Sequence, residues 1–285
     1  MKAFHSFWSL PNRIRNGGVI RFPDYELLTM MLSALEWRRC NGPIRMLTDR
    51  EGLAFFEQEG LSGLWSEPPE PLLDDIGGEF DPMFFWAAGK LFALRQVPAP
   101  CVMLDTDLIL WKNVEGRLSD AAVAAHREDL YPQVYPDPSV FTLDDSYAFP
   151  SEWDFTLPAA NTAFLYLPDD GFRTRYTDAA FSFMRALRSR DVSPVVTMCF
   201  AEQRLLPMCA ASQGVRLDYL LDENALNDQS LATHLWGLKT VLPGSAEQRV
   251  AYCLSCIRRI LSDFPEWEPV LSRNPQLYPY LSGLR

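Results

Sequence analysis

The feature that most constrains the fold is a short apolar run that ends in acid: Pro100-Cys101-Val102-Met103-Leu104 leads directly into an aspartate. A strand with apolar residues on both faces is typical of the centre of a parallel sheet, where helices cover it from above and below. The run therefore predicts a central strand, with neighbouring strands and covering helices supplied by the rest of the chain.

Strand-like and helix-like segments alternate before this run, which is the rhythm of successive βαβ units. Apolar residues recur at helical spacing between the start signal Pro23 and the stop signal Gly42. The predicted strands are 2–8, 43–48 and 100–105, and the predicted helices are 24–39, 50–60 and 82–96. We therefore predict an α/β fold built on a doubly wound sheet flanked by helices.

The remainder of the chain is less regular and more helical. Two segments rich in Pro and acidic residues, 66–79 and 131–158, are typical of loops. Further strands are predicted over 121–126 and 163–167, and further helices over 171–188, 202–211, 229–235 and 246–261. We assign residues 1–240 to one domain and residues 241–285 to a helical extension packed on it.

The charge of the chain narrows its partners. Its 285 residues carry 37 Asp and Glu against 26 Lys and Arg, a net charge of −11 at pH 7. An acidic protein is a poor match for nucleic-acid phosphates, so we expect no nucleic-acid partner. Segments 51–89 and 128–172 each contain nine acids and no Lys or Arg. The rest of the chain is therefore basic, and peripheral contact with an anionic membrane surface stays open.

Location is predicted from what the sequence lacks. We find neither a targeting segment nor an apolar window long enough to span a bilayer. The six cysteines lie mostly in apolar contexts, which is typical of reduced, buried thiols. We expect a cytoplasmic protein with no transmembrane segment.

Asp105-Thr106-Asp107 follows the central strand, at the edge where α/β sheets bind ligands. In an extended segment, residues i and i+2 point to the same side about 6.5–7 Å apart. Two carboxylates at that distance repel by about 2–3 kcal/mol at an effective dielectric of 20. A divalent cation converts the repulsion into coordination, and oxygen ligands suit Mg²⁺ or Mn²⁺. A solvated turn is the alternative, because D-x-D is a common triplet.

A second motif lies late in the chain and reads His234-x-Trp236-Gly237-x-Lys239. Its spacing suits a pyrophosphate, because an imidazole nitrogen can bind a metal, Gly237 lets the backbone approach and Lys239 neutralises an oxygen. The alternative is a partly buried histidine near a helix end, with Lys239 close to the terminal carbonyls.

Together the two motifs resemble the metal-dependent, DxD-containing glycosyltransferases of the GT-A fold, in particular galactosyl- and glucosyltransferases related to family 8. Two further segments are similar to family segments: Asn161-Thr162-Ala163 and Ala201-Glu202-Gln203. The resemblance implies a GT-A-like, Rossmann-like mixed sheet over residues 1–240. It also implies transfer of a sugar from a nucleotide donor, expected to be UDP, to a glycan or other hydroxyl acceptor.

The resemblance also implies roles for individual residues. It implies that Asp107 and His234 bind Mn²⁺ or Mg²⁺ directly, and that Asp105 binds the metal, the ribose or both. It implies that Gln203 or Glu202 faces the anomeric carbon or the acceptor. Whether the reaction retains or inverts the anomeric configuration stays open.

Other candidates come from their positions in the chain. Ser6, Thr48 and Asp49 follow predicted strands and are candidates to hold the nucleoside, with helix or turn capping as the alternative for each. Lys90 precedes the central strand and can reach a phosphate or sugar hydroxyl, with a solvated lysine as the alternative. Glu202 and Asp154 are the candidates for a general base.

Two other functions are compatible with these motifs. Haloacid-dehalogenase-like phosphatases also place D-x-D after an apolar strand, although usually after their first strand. A non-catalytic member of the GT-A fold that binds a sugar, a nucleotide or a partner is the second alternative.

Overall fold

Two sheets frame the molecule in the part of the chain that the computed structural model describes, residues 2–76, 78–188, 190–222 and 230–283. The strands are β1 (Lys2–Phe7), β2 (Ile44–Thr48), β3 (Cys101–Leu104), β4 (Leu108–Leu110), β5 (Ala122–Glu128), β6 (Ala159–Leu167), β7 (Leu217–Tyr219) and β8 (Ala232–His234). The helices are α1 (Ser9–Arg15), α2 (Asp24–Asn41), α3 (Arg50–Gln58), α4 (Ala88–Gln96), α5 (Asp170–Ala186), α6 (Pro194–Cys199), α7 (Leu205–Ser212), α8 (Leu238–Val241), α9 (Ala246–Asp263), α10 (Glu268–Arg273) and α11 (Tyr278–Ser282). Among the described helices, none is long and apolar enough to cross a membrane.

The main sheet has six strands in the order β2-β1-β3-β6-β5-β7. Strand β1 runs parallel to both β2 and β3, whereas β6 is antiparallel to β3 and to β5. All four residues of β3 are buried, as expected for a central strand. The predicted fold class, an α/β fold with a mixed sheet flanked by helices, is confirmed.

Alternate residues of the central strands face two apolar clusters on opposite sides of the sheet. Ala3 and Val102 belong to the cluster that contains the buried face of α2. Phe4 and Met103 belong to the other cluster, with residues of α4 and α5. This burial on both faces explains why β3 is apolar throughout, and it fixes the carboxyl ends of β1 and β3 side by side.

The described structure departs from three of the predicted helices. The helix predicted over 82–96 begins only at Ala88, because Asp81 draws the preceding backbone into turns: its side chain accepts from Met83 N at 2.9 Å and its carbonyl from Phe85 N at 2.9 Å. The helix predicted over 202–211 is a π-helical turn, Phe200–Arg204, followed by α7.

The helix predicted over 229–235 is wrong in its described part, and Gln229 lies outside the described residues. This segment contains strand β8, which pairs antiparallel with β4 to form the second sheet. The register places Leu108 opposite His234 and Leu110 opposite Ala232. Pairing with a partner more than 120 residues away in sequence thus overrides the local helical pattern.

The C-terminal helices pack against α2. Cys253, Ile257 and Ile260 of α9 belong to the same apolar cluster as the buried face of α2. Thr29 Oγ1 of α2 lies 2.7 Å from the hydroxyl of Tyr252 in α9. The division of the chain at residue 240 stays a prediction.

Candidate active site

The acid pair lies in a turn that links the two sheets, and not in an extended segment. Leu108 N donates to Asp105 O at 3.1 Å, which closes a turn from Asp105 to Leu108. Asp105 N donates to Ala163 O of β6 at 2.7 Å, which ties the start of this turn to the main sheet. We call residues 105–108 the acid turn. We expected both carboxylates to point to the same side of an extended strand. Instead, the acid turn directs the two carboxylates to different partners.

Pairing of β4 with β8 brings the late histidine motif to Asp107. Leu235 N donates to Asp107 O at 2.9 Å, directly after the Leu108–His234 pair. Lys239 Nζ lies 2.6 Å from Asp107 Oδ2, and His234 Nε2 lies 3.8 Å from Asp107 Oδ1. The two motifs singled out in the sequence thus meet at one carboxylate.

The charges of this group follow from its surroundings. Burial acts to raise the pKa of Asp107, but Lys239, together with His234 and Lys90, outweighs it and lowers that pKa to about 2. Burial lowers the pKa of His234 to about 4, against the opposing effect of Asp107. At neutral pH the site therefore offers an ionised carboxylate beside a neutral imidazole, whose nitrogen can act as a metal ligand.

Lys90 bridges the other acid of the turn to helix-borne Glu202. Its Nζ lies 2.8 Å from Asp105 Oδ1 and also contacts Glu202 Oε1. Burial raises the pKa of Asp105 to about 6, with Lys90 opposing this shift. The two carboxylates outweigh burial and raise the pKa of Lys90. Lys90 is therefore an internal counter-ion with a side chain 16% exposed, and not a solvated helical lysine.

The π-helical turn Phe200–Arg204 presents Glu202 and Gln203 at the site. Glu202 Oε1 also accepts from the hydroxyl of Thr162, and Tyr176 OH donates to the backbone carbonyl of Glu202 at 2.6 Å. Tyr135 OH donates to Gln203 Oε1. Single π-helical turns occur frequently at functional sites, where they redirect side chains.

These groups line one cleft of about 490 Å³. Of the predicted site residues, it brings together Ser6, Lys90, Asp105, Asp107, Glu202, Gln203, His234 and Lys239. Trp236 also lines the cleft and is 61% exposed. The cleft opens where β1 and β3 end, as sheets of this class predict.

Three predicted residues lie elsewhere. Thr48 Oγ1 donates to Phe7 O at 2.7 Å and is fully buried. Asp49 caps α3 by accepting from Gly52 N at 2.8 Å, and it also accepts from Ser9 N at 2.9 Å. Neither lines the cleft, so both have the capping or packing role that was the alternative to nucleoside binding.

Asp154, a candidate base, is likewise absent from the cleft lining. Its Oδ1 accepts from Thr156 N at 2.8 Å and from Thr156 Oγ1 at 2.6 Å, within an exposed turn. Local capping therefore uses this carboxylate, and Glu202 is the remaining candidate of the two.

A buried polar group behind His234 was not singled out as part of the site. The His126 ring packs edge-to-face on the His234 ring, with 6.3 Å between centroids. His126 Nδ1 lies 3.7 Å from Glu128 Oε1, which accepts from Asn161 Nδ2 at 3.1 Å. The position of this group beside a candidate metal ligand could not be read from the spacing of residues in the sequence.

Arg15 and Trp86 also line the cleft without having been predicted to do so. The Arg15 guanidinium lies 5.8 Å from the centroid of the Trp86 ring. Nothing in the sequence distinguishes Arg15 from other surface arginines, because its place in the cleft depends on how α1 folds back after β1.

The residues that the resemblance implies as metal ligands supply only part of the coordination shell of a metal ion. Among the described residues, no group of three or more His, Cys, Asp and Glu side chains is arranged to hold a metal. Asp107 and His234 lie together, whereas the carboxylate of Asp105 contacts Lys90. Mg²⁺ and similar ions often take one or two protein ligands and complete their shell with substrate phosphates and water. The donor set therefore suits a cation that arrives with a diphosphate.

The amino-acid sequence matches one protein family over residues 1–267, and its description is "Family of unknown function (DUF6734)". The chain belongs to this family. No curated protein matches this DUF6734 chain.

Several solved structures are similar to this DUF6734 chain. The PaToxG glycosyltransferase matches with a TM-score of 0.42 and 11% identity, covering 99% of this chain and 86% of that chain. The WbbM bifunctional glycosyltransferase in its apo form matches with a TM-score of 0.45 and 7% identity, covering 99% and 51%. The galactosyltransferase LgtC in complex with donor and acceptor sugar analogs matches with a TM-score of 0.40 and 11% identity, covering 77% and 73%.

Proposed function

We propose that this protein is a metal-dependent glycosyltransferase that takes its sugar from a nucleotide donor, expected to be UDP-linked. The observation that carries the proposal is the meeting of the acid turn with His234 and Lys239 in one cleft. A carboxylate and a neutral imidazole can bind the metal of a metal–diphosphate complex, and an ammonium can bind its phosphate oxygens. The acceptor is a glycan or another hydroxyl compound.

Each residue has a distinct task in this proposal. Asp107 and His234 hold Mn²⁺ or Mg²⁺, and the ion when bound stabilises the charge of the departing diphosphate. Lys239 is 43% exposed at its side chain, so it can turn from Asp107 to a diphosphate oxygen. Trp236 offers an exposed ring on which a sugar or base can stack.

Glu202 and Gln203 are placed at the reacting sugar. Lys90 and Thr162 both contact Glu202 Oε1, so we assign contact with the acceptor hydroxyl to Oε2. The Tyr135 hydroxyl holds the carbonyl end of the Gln203 amide, which leaves the amide N–H groups to donate to a sugar oxygen. In this proposal Asp105 orients Lys90 and contacts the ribose of the donor.

One observation favours the non-catalytic alternative. Each acid of the turn already has an ammonium partner, Lys90 or Lys239. A protein that only binds a nucleotide or sugar can keep these ion pairs intact. The phosphatase alternative has less support, since the acid turn follows β3 and not β1.

Calorimetry with UDP and Mn²⁺ tests the proposal. We expect UDP to bind at least tenfold more tightly with Mn²⁺ present, and Asp107→Ala or His234→Ala to abolish that gain, because each removes a ligand atom. Asp178→Asn is the matched control, since Asp178 pairs with Arg95 on α4 and does not line the cleft. UDP affinity that is indifferent to Mn²⁺ and to Asp107 would refute metal-dependent donor binding.

Release of UDP from a panel of UDP-sugars then separates the alternatives. Release that depends on an added hydroxyl acceptor supports transfer. Binding of UDP-sugars without release favours the non-catalytic member. Release of inorganic phosphate from simple phosphoesters, unaffected by UDP, favours the phosphatase.

A further inference from the structure

A buried chain of hydrogen bonds runs from the side of β1 to the acid turn. Trp65 Nε1 lies 3.1 Å from His5 Nδ1, and His5 Nε2 lies 3.1 Å from Ser33 Oγ. Ser33 Oγ donates to Leu108 O at 2.6 Å. All three side chains are at most 3% exposed. We call Trp65, His5 and Ser33 the buried relay.

The donors and acceptors of the buried relay have one consistent direction. A tryptophan N–H can only donate, so His5 Nδ1 accepts and the proton of the neutral imidazole lies on Nε2. Nε2–H then donates to Ser33 Oγ, which leaves the serine proton for Leu108 O. Burial lowers the pKa of His5 to about 3, so the imidazole stays neutral at physiological pH.

The relay ends on the backbone of the acid turn. Ser33 Oγ lies 2.6 Å from Leu108 O and 3.4 Å from Asp105 O, the carbonyls at the two ends of the turn. Ala163 of β6 and Leu235 after β8 hold other backbone atoms of the same turn. Ser33 is therefore the side chain through which α2 fixes the turn that carries both acids.

Stability alone does not require these polar groups. Apolar residues of similar shape at all three positions would leave no buried donor or acceptor among the side chains, a replacement that is often nearly neutral. A relay of three buried polar side chains is instead suited to specifying one orientation of the groups at its end. Here those groups are the peptide units beside Asp105 and Asp107.

We propose that Ser33 and His5 are positioning residues, which hold the acid turn in the orientation that binds a divalent cation and a nucleoside diphosphate. The binding part of this inference rests on the proposed function. The positioning part concerns the turn itself and can be measured without a ligand.

The central experiment compares Ser33→Ala with Thr29→Val. Thr29 is a fully buried residue one turn earlier on α2, and its hydroxyl contacts Tyr252 of α9 and not the acid turn. We expect Ser33→Ala to weaken binding of Mn²⁺ and of UDP with Mn²⁺ about tenfold or more, the range seen when groups behind metal ligands are removed. We expect Thr29→Val to lose a similar amount of thermal stability while binding both probes as the unmodified protein does.

Two substitutions of His5 provide a rescue test. His5→Leu removes the donor, whereas His5→Gln retains an amide that can donate to Ser33 and accept from Trp65. We expect the loss of Mn²⁺ and UDP affinity in His5→Leu and its partial recovery in His5→Gln. Equal affinities for these two variants would overturn a positioning role for His5.

Hydrogen–deuterium exchange tests the positioning role without a ligand, and therefore independently of the proposed function. We expect the amides of Leu108 and Leu235 to exchange faster in Ser33→Ala than in Thr29→Val, because they close and anchor the acid turn. If the unmodified protein binds neither Mn²⁺ nor UDP, the proposed function fails and exchange alone decides on positioning. Unchanged exchange at both amides in Ser33→Ala overturns the inference.

Discussion

The two lysines of the cleft each neutralise one acid, but their exposure gives them different tasks. The side chain of Lys90 is 16% exposed and contacts two carboxylates, Asp105 and Glu202. The side chain of Lys239 is 43% exposed and contacts Asp107 alone among these acids. A largely enclosed ammonium between buried Glu202 and half-buried Asp105 is needed by the fold, because removing it leaves both acids without compensation. An exposed ammonium is free to move to a ligand.

We therefore predict that removing the charge of Lys90 mainly affects folding stability, whereas removing the charge of Lys239 mainly affects UDP binding. Lys90→Met is expected to lower the free energy of unfolding by about 3 kcal/mol, the order found when one member of a buried ion pair is removed. Lys239→Met is expected to lower that free energy less, by about 1–2 kcal/mol, because Asp107 loses the ammonium that lowers its pKa, and to weaken UDP binding tenfold or more. Urea unfolding and calorimetry with UDP measure the two quantities.

Lys90→Arg and Lys239→Arg are the matched controls, since they retain the charge. An Lys239→Met variant that binds UDP normally would remove Lys239 from the donor site. A Lys90→Met variant as stable as the unmodified protein would show that Asp105 and Glu202 do not need their shared counter-ion.

At the scale of single residues, the sequence predicts which residues form the site better than it predicts how they are arranged. Asp107, His234 and Lys239 were singled out as motifs, and the structure brings them into contact. Strand periodicity predicts an extended Asp105–Asp107 pair, whereas β3 ends at Leu104 and the chain then turns. The buried relay could not be predicted from the sequence, because a single His in a strand and a single Ser in a helix form no recognisable motif. The contacts of His5 and Ser33 exist only once β1, α2 and the acid turn are packed together.

Secondary structure that depends on local patterns was predicted well, and structure that depends on distant pairing was not. The long helix α2 and the apolar strand β3 carry clear periodicity and were predicted close to their observed bounds. Strands β4, β7 and β8 have three residues each, which is too short for a period of two to be recognised. The second sheet forms because two such short strands, β4 and β8, pair although they lie far apart in the sequence.

The pairing of β4 with β8 is the element on which the site depends, and a proline tests it. We expect Thr233→Pro to disrupt the ladder, because proline removes a backbone donor from the middle of β8. His234 and Lys239 would then lose their position beside Asp107, and UDP affinity with Mn²⁺ should fall more than tenfold. Far-UV circular dichroism should change little, since the six-stranded sheet does not include β8.

Thr233→Val is the control for this substitution. It retains the backbone donor and the β-branched shape, and it removes only the side-chain hydrogen bond from Trp111 Nε1. We expect near-normal UDP affinity for this variant. Normal UDP affinity in Thr233→Pro would show that the strand pairing is not what holds the histidine motif at the acid turn.

At the scale of the whole molecule, the C-terminal helices complete the core and are not an appendage. Buried residues of α9, α10 and α11 share one apolar cluster with α2 and β1. The helical extension was predicted from the pattern of residues 246–261, but that pattern does not show which surface the helix covers. Because α2 carries Ser33 on one side and contacts α9 on another, the C-terminal helices also stabilise the support of the acid turn.

Asp24 links helix α2 to the C-terminal helices α9 and α11. It lies in the first turn of α2 and is 3% exposed. Its carboxylate accepts from Arg249 Nε of α9 at 2.8 Å and from the hydroxyl of Tyr280 in α11. Burial acts to raise the pKa of Asp24, but these hydrogen bonds outweigh it and hold the pKa below its ordinary value of 3.8. The ionised carboxylate is thus bound more strongly by the folded chain than by the unfolded one.

This shift sets the sign of a pH dependence. A carboxyl whose pKa is lower in the folded state adds stability above its unfolded pKa and loses it as pH falls through the folded value. We therefore expect Asp24→Asn to lower the free energy of unfolding by about 1–3 kcal/mol at pH 7, and this deficit to shrink when the pH is lowered below about 4. Urea unfolding of both proteins at pH 7 and pH 3.5 measures it. Asp178→Asn, which breaks an exposed pair with Arg95, is the control and should cost less than about 1 kcal/mol at either pH. A deficit in Asp24→Asn that is equally large at both pH values would mean that Asp24 stabilises the fold by packing and not by its charge.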